Sequence, residues 1–508
     1  MRHENSDEVV LVFDCGSTNL RVAAINSQGA IEAQSSFLNE PKPQNGRNPE
    51  WLIWDLDEIW AKLCKASREV VTIIDSSRIK AATVITWGAD GAPVDRNGRL
   101  LYPVISWQCP RTVDAVKNIT SMLSPFEIFR ITGYQLTPFN TLVKLYWLRK
   151  HEPEALNKAY TWLMMPGLIA HKLTGEFHID PTSASTTMAM DLGHRDWSKT
   201  MFGLVGLDLG FFPKWLEPGQ VVGDVTKEAE KACSIPSGVP VVAGGHDSQF
   251  AILGSMATEN EAILSSGTWE ILSYRSNTYS PTKDAFDDGV IIEADVSREF
   301  WNPQLLMMGS GVIEWVADKM MAEKGSVKYE ALIKMAESVP AGAGGVVFVP
   351  SFVKETGPTK KYEVSGAILG LTLRTTRNHI VRATFEGLSY QLAQALKILE
   401  REKGSNINKI RVVGGGSKNR FWNQIRADVT GIPVTVTDLK ECASLGAALV
   451  SFLGIGRFTS FEEAKANICM KEEMFNPSEN RKVYESLLRH YEDVVKNLKT
   501  PNSALQTT

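Results

Sequence analysis

The strongest constraint on this chain is a unit that occurs twice: an apolar strand, a tight turn of small polar residues with Gly and Thr, and a second apolar strand. It is met first as Val9 to Phe13, Asp14-Cys-Gly-Ser-Thr-Asn19 and Leu20 to Ile25. It returns as Ala262 to Leu264, Ser265-Ser-Gly-Thr268 and Trp269 to Tyr274. Each copy reads as a β-hairpin. Copies this far apart point to a two-fold duplication of architecture, not to a short-period solenoid. Strand-like and helix-like segments alternate throughout, which places the chain in the α/β class. Its 508 residues exceed one compact core, with room for roughly two to four domains. The second hairpin sets a boundary near Gly244 to Gly254. That gives units 1–248 and 249–490 and a polar tail, 491–508, with disorder expected after Lys499.

Between the hairpins, Trp51 to Val71 has helical spacing of apolar residues, with Asp55 and Asp57 early, where the helix dipole favours anions. Toward the end, the pattern predicts helices over His379 to Lys403, Phe421 to Thr430 and Ser444 to Leu453, and strands over Ile410 to Val413 and Pro433 to Thr437. The net charge of −4 argues against nucleic-acid or anionic-membrane partners. The polar opening MRHENSDE lacks the apolar core of a secretory signal. The apolar stretch from Ala443 to Gly456 is too short to cross a bilayer. The reading is a cytoplasmic protein. Six scattered cysteines, without a CxxC pair or a His cluster, argue against disulfides and structural zinc.

Four segments carry candidate chemistry. In Asp14-x-Gly16-Ser17-Thr18-Asn19, backbone N–H groups and hydroxyls suit a phosphate, and Asp14 at a strand end suits Mg²⁺. A plain hairpin turn is the simpler reading of that segment alone. The second turn, with Gly267 and Thr268, offers the same groups, and the pairing favours a clamp on a polyphosphate. In Gly244-Gly-His246-Asp247-Ser-Gln249, a strand ends on an acid able to take a hydroxyl proton in phosphoryl transfer; the alternative is a helix N-cap. His246 reads as a packing residue. Gly414-Gly-Gly-Ser-Lys-Asn419 between a strand and a helix fits an adenosine on bare backbone, yet fails the GxGxxG pattern. No GxxxxGK[ST] loop and no HRD exist in the sequence, and Asp287-Asp-Gly289 is not a DFG, so P-loop enzymes and protein kinases are excluded.

Together these residues resemble the FGGY carbohydrate kinases. One family signature fits Phe139-Asn-Thr141-Leu-Val-Lys144-Leu-Tyr-Trp147-Leu148. The other fits Gly366-Ala-Ile-Leu-Gly370-Leu371, His379-Ile380 and Ala383-Thr-Phe-Glu386-Gly387. The resemblance covers about Val9 to Glu485. It implies two actin-like (ribonuclease H-like) ATPase domains flanking a deep cleft. By the same resemblance Asp14, Gly16, Ser17, Thr18, Asn19, Gly267, Thr268, Gly311, Gly415, Gly416, Ser417 and Asn419 bind ATP. Trp87, Asp90, Trp107, Arg111, Phe139, Asn140 and Asp247 meet the sugar. Asp247 is the catalytic base, and Asp14 and Asp247 serve Mg²⁺.

Stretches such as Trp87-Gly-Ala-Asp-Gly-Ala and Gly245-His-Asp-Ser-Gln-Phe250 are most similar to the family branch acting on L-fuculose. The implied reaction is transfer from ATP to the terminal hydroxyl of a ketose, L-fuculose to L-fuculose 1-phosphate. The indole and phenyl rings would wall the sugar, with Asp90 and Arg111 on its hydroxyls. The expected partners are the sugar and MgATP, with no nucleic acid and no membrane; a homodimer stays open. Other ketoses or polyols (D-ribulose, L-rhamnulose, xylulose), a non-catalytic actin-like ATPase and a sugar sensor are the alternatives. Asp247 discriminates the last two, since neither needs a sugar base.

Overall fold

The computed structural model describes residues 8–321, 328–353, 357–362 and 364–498. The first seven residues and the end beyond 498, where disorder is expected, lie outside them. The first sheet is built from β1 (Val9–Cys15), β2 (Asn19–Asn26), β3 (Ile31–Leu38), β4 (Ile79–Thr86), β5 (Val221–Asp224) and β6 (Pro240–His246), in the order β5-β6-β4-β1-β2-β3. The second contains β7 (Glu261–Ser266), β8 (Trp269–Ser273), β9 (Ile291–Ala294), β10 (Trp301–Met308), β11 (Lys409–Val413), β12 (Val434–Thr437) and β13 (Glu472–Phe475), in the order β9-β10-β8-β7-β11-β12-β13.

Both sheets share one plan. Three antiparallel strands (β3-β2-β1; β10-β8-β7) are followed by two parallel to the hairpin's first strand (β4, β6; β11, β12) and an antiparallel edge (β5; β13). The duplication visible in the hairpins therefore extends to whole sheets. It is the arrangement expected of paired actin-like domains.

Helices α1 (Leu56–Val71), α2 (Thr141–His151), α3 (Asp247–Gly254), α4 (Arg377–Lys403), α5 (Arg420–Thr430), α6 (Cys442–Gly454) and α7 (Arg481–Asn497) position the site. Strand β1 reads as an unbroken apolar run because both its faces are covered. Val9, Leu11 and Phe13 pack with Ile59 and Leu63 of α1. Val10 and Val12 pack on the opposite face with Phe250 and Leu253 of α3 and Leu445 and Leu449 of α6, as the two-residue side-chain period of a strand requires. Thus α6, distant in sequence, covers the first sheet. It crosses α3 backbone to backbone: a Cβ at Gly254 would lie 1.9 Å from the Cys442 carbonyl oxygen, and one at Gly446 2.2 Å from that of Phe250.

Two sequence expectations change. The helix read from Trp51 begins at Leu56, because Leu52–Trp54 is a strand and the Asp55 side chain caps the helix by accepting from the Glu58 N–H. The tail read from 491 is helical to Asn497, with Tyr491 and Val495 buried along one face of α7. Among the described residues no helix is long and apolar enough to cross a membrane.

Candidate functional site

The site forms where the carboxyl ends of β1, β4 and β6 meet, since these strands run parallel and in register: Asp14 pairs with Ile85, and Ile85 with Gly245. Such an edge is where open α/β sheets place ligands. A cavity of about 380 Å³ opens there, lined by Asp14, Gly16 to Asn19, Arg21, Asp247, Ser248, Ser265 and Glu441. The first turn, Asp247 and the edge of the second turn thus share one space. The alternative reading of Asp247 as a helix cap is not what is found. It is the first residue of α3, and its cap is His246, which makes no side-chain capping bond. The Asp247 Oδ1 lies 3.1 Å from His246 Nδ1 and accepts from the Ser248 hydroxyl at 3.2 Å.

Asp14 accepts from the Ser444 hydroxyl of α6 at 2.9 Å and sits 3.7 Å from Arg21, which is ion-paired to Glu441. Burial, helped by the charge of Asp247, pushes the Asp14 carboxyl up to about 6, against the pull of Arg21 and Ser444. Two neighbouring carboxylates short of counter-charge favour a cation. Among the described residues no three His, Cys, Asp or Glu converge as a ready-made metal site. A cation resting on Asp14 and Asp247 would take its other oxygens from phosphate and water, as Mg²⁺ commonly does, so the donor set fits that ion.

On the sugar side the structure separates the expected residues. Trp107 is 36% exposed and Phe139 half-buried, so both can present an apolar wall. Asp90 is fully buried and saturated. It forms an ion pair with Lys144 of α2, and its Oδ2 accepts from Trp54 Nε1 (2.6 Å), Trp87 Nε1 (2.9 Å) and the Trp107 N–H (3.1 Å). With no exposed surface, its carboxylate presents nothing to a sugar hydroxyl. The expected role for Asp90 is therefore corrected: it fixes the indoles. Trp87, 7% exposed, is packed on Trp54 with centroids 4.5 Å apart.

Arg111 is corrected likewise. Its guanidinium donates to Gln44 and Tyr102, lies 4.6 Å from the Trp51 ring, and is spent on packing. Asn140, wholly buried, donates to the Thr186 carbonyl and accepts from the Thr137 hydroxyl; it anchors the start of α2.

On the nucleotide side, Gly267, Thr268 and Gly311 form one nest: the N–H groups of Gly309 and Gly311 donate to the Thr268 carbonyl, and that of Ser310 to Gly267. Gly415 faces open space. A Cβ at Gly416 would strike the Ser266 hydroxyl at 2.0 Å, so the triglycine lies flat against the second turn. Ser417 donates to the Gly414 carbonyl. Asn419 is corrected on burial: it is 4% exposed, accepts from the Trp422 N–H as the cap of α5 and donates to the Tyr329 hydroxyl, so it holds the start of α5.

Sequence reasoning missed Lys144 as the partner of Asp90, although a Lys flanked by Leu142, Val143 and Leu145 signals burial. Desolvation pulls its ammonium below the ordinary value while Asp90 opposes the shift. It also missed Arg21, Glu441 and Ser444, which come from opposite ends of the chain.

Family models of the N-terminal and C-terminal domains of the FGGY family of carbohydrate kinases match residues 9–254 and 262–454. The L-fuculokinase of Escherichia coli K12 is 38% identical over 92% of this chain and 97% of its own length. That of Haemophilus influenzae is 36% identical over 90% and 97%. The crystal structure of gluconate kinase from Lactobacillus acidophilus superposes with a TM-score of 0.87 at 19% identity, covering 96% of this chain and 97% of that one. Two family models in tandem, relatives matched almost end to end and a duplicated fold around one acidic cleft agree: the chain belongs to the FGGY family of carbohydrate kinases, ATP-dependent enzymes that phosphorylate sugars.

Proposed function

We propose that the chain phosphorylates the terminal hydroxyl of a ketose, L-fuculose above others, with Asp247 as the general base. The observation that supports this most is the shared cavity, in which Asp247 opens beside the turn Gly16 to Asn19. The nucleotide's phosphates lie between the first turn and the nest of Gly267, Thr268 and Gly311, with Gly415, Gly416 and Ser417 under the adenosine. Backbone N–H groups of both turns hold negative charge as it develops. The sugar rests against Trp107 and Phe139, and Asp247 takes its proton as the hydroxyl attacks. Mg²⁺, held by Asp14 and Asp247, would neutralise phosphate charge. Relatives named L-fuculokinase at 36–38% identity support L-fuculose as the acceptor. An ATP-consuming sugar kinase fits a cytoplasmic setting.

Asp247→Asn keeps the shape and removes the proton acceptor. Turnover is expected to fall by about 10²-fold or more with nucleotide binding little changed; near-normal turnover moves the base elsewhere. Stoichiometric, sugar-dependent ADP release separates this kinase from an ATPase or a sensor. Specificity constants decide the acceptor: L-rhamnulose, D-xylulose or glycerol outperforming L-fuculose would overturn the substrate and leave the reaction class standing.

A further inference from the structure

Two thiols that do not line the cleft cavity meet in the first unit. Cys64 stands on α1, and Cys233 ends the short helix Lys227–Cys233, which joins β5 to β6. They are 169 positions apart in the sequence, and their Sγ atoms lie 2.8 Å apart. The meeting does not depend on the sulfurs alone. The Ser67 hydroxyl donates to the Cys233 carbonyl at 2.7 Å, and the Arg68 guanidinium donates to the Ala232 carbonyl. Cys64, Ser67 and Arg68 share one face of α1, so three of its side chains hold the last turn of the short helix. All six cysteines of the chain are free thiols.

The pair lies just beneath the surface. Cys64 is 3% and Cys233 0% exposed, while Lys65, Arg68, Lys231 and Ser234 beside them are exposed. The hydrogen bond with Cys233, aided by the charges of Arg68 and Lys172, pulls the Cys64 thiol below its ordinary value against the effect of burial. The same bond and burial push the Cys233 thiol up. Cys64 is therefore the better nucleophile and Cys233 the thiol in contact with it. A cysteine beside a guanidinium, with a second cysteine against it, is placed for reversible oxidation.

We propose that Cys64 and Cys233 are a redox site: a hydroperoxide oxidises the two thiols to a disulfide that staples α1 to the connection between β5 and β6 and stabilises the first unit. The Cys64 thiolate attacks one peroxide oxygen, and the O–O bond breaks to leave a sulfenic acid and hydroxide. The Cys233 sulfur then attacks the Cys64 sulfur; the S–S bond forms and the S–O bond breaks. The two hydroxides take the two thiol protons and leave as water, so the thiols lose two electrons and one peroxide gains them. A disulfide needs its sulfurs about 2.05 Å apart, so the pair has less than about 1 Å to close from its 2.8 Å contact. A link across so long a stretch of chain restricts the unfolded state and favours the folded one. A dithiol reverses it by exchange.

The test uses the full chain carrying Cys469→Ser, which removes the exposed thiol. It is treated with hydrogen peroxide under native conditions and mapped by mass spectrometry without reduction. A peptide pair linked through Cys64 and Cys233 within one chain is expected, with two thiols lost. Tm is expected to rise by about 3 °C or more and to return on adding dithiothreitol. Cys64→Ser and Cys233→Ser in the same background should show neither link nor rise. An unlinked pair after oxidation, a linked pair with Tm unmoved or lowered, or a rise that persists in Cys64→Ser would each overturn the proposal. If the serine variants fail to fold, the peptide map and the dithiothreitol-reversible Tm shift of the parent decide.

Discussion

The two hairpin turns share a backbone plan and differ in chemistry. In the first, the Gly16 N–H closes onto the Asn19 carbonyl at 2.9 Å; in the second, the Gly267 N–H closes onto Trp269 at the same distance. The first turn keeps an acid facing the cavity, Asp14, with Arg21 and Glu441 around it. The second has Ser265 two residues before its glycine, where the first has Asp14; its acid, Glu270 on the returning strand, is 1% exposed and ion-paired to the buried Arg426, with the Ser266 hydroxyl donating to it at 2.7 Å. The glycines differ too. A Cβ at Gly16 would meet the Asn19 carbonyl oxygen at 2.8 Å, whereas at Gly267 the nearest atom is 3.8 Å away. On the proposed function, both turns are anion cradles, and only the first carries a carboxylate, Asp14, facing the shared cavity.

If that asymmetry is right, the largest effect after loss of the base comes from Asp14→Asn. Turnover is expected to fall about 10–100-fold, with a raised Mg²⁺ requirement; a Mg²⁺ titration of kcat checks it, and an unchanged curve removes Asp14 from the cation site. Next is the glycine pair. Gly267→Val meets only ordinary contact, 3.8 Å from the Trp269 carbonyl oxygen, so on the proposed function KM for ATP should rise about tenfold or more, equivalent to roughly 1.4 kcal/mol, with Tm and KM for sugar unmoved. Gly16→Ala must shift its own turn, and about 1–3 kcal/mol of stability should be lost first. Equal behaviour of the two in a melting experiment would erase the distinction.

A smaller effect concerns pH. Burial pushes the Glu293 carboxyl up to about 7, offset in part by the Gln304 amide. With its folded value above the ordinary 4.5, the native state holds the proton more tightly than the unfolded chain, so this group's contribution to stability falls as pH rises from about 4.5 to 7. Glu293→Gln lacks that titration, and its Tm relative to wild type should climb from pH 5 to pH 8. A constant difference would contradict the sign. Smallest is Ser444→Ala, which removes one hydrogen bond to Asp14 at about 0.5–1.5 kcal/mol. It should lower affinity for Mg²⁺ slightly while leaving the second turn untouched, as paired Mg²⁺ and ATP titrations would show.

Much of this was legible in the sequence. Apolar runs ending in Gly-Ser-Thr and Ser-Gly-Thr predict hairpins because sterics and turn chemistry act locally, and the acid after Gly244-Gly245 sits where a parallel strand must end. Roles for Asp90, Arg111, Asn140 and Asn419 were misread because saturation is a property of neighbours. A carboxylate that could meet a hydroxyl looks the same in sequence as one already taken by two indoles, a backbone N–H and an ammonium. Lys144 escaped for the converse reason. Its partner, Asp90, is brought to it only by the tertiary fold, and no periodicity or spacing encodes the meeting.

The glycine crossing of α3 and α6 has a mechanical consequence. Asp247 rides at one end of α3 and Gly254 at the other. Eight residues at ~1.5 Å each make a lever of about 12 Å, and a tilt of about 10° at the crossing would swing the acid by about 2 Å. Misplacement of about 1 Å is already enough to slow such chemistry severely. At Gly254 and Gly446 no side chain separates the two backbones, so the fulcrum itself has little play. Because α6 also carries the Ser444 that braces Asp14, both acids belong to one stiff frame made of β1, β6, α3 and α6. The same two helices also pack on the second sheet, where Ile252 and Cys442 meet Ile263 of β7 and Val413 of β11, so the frame that holds the two acids also supports the strand leading into the second turn.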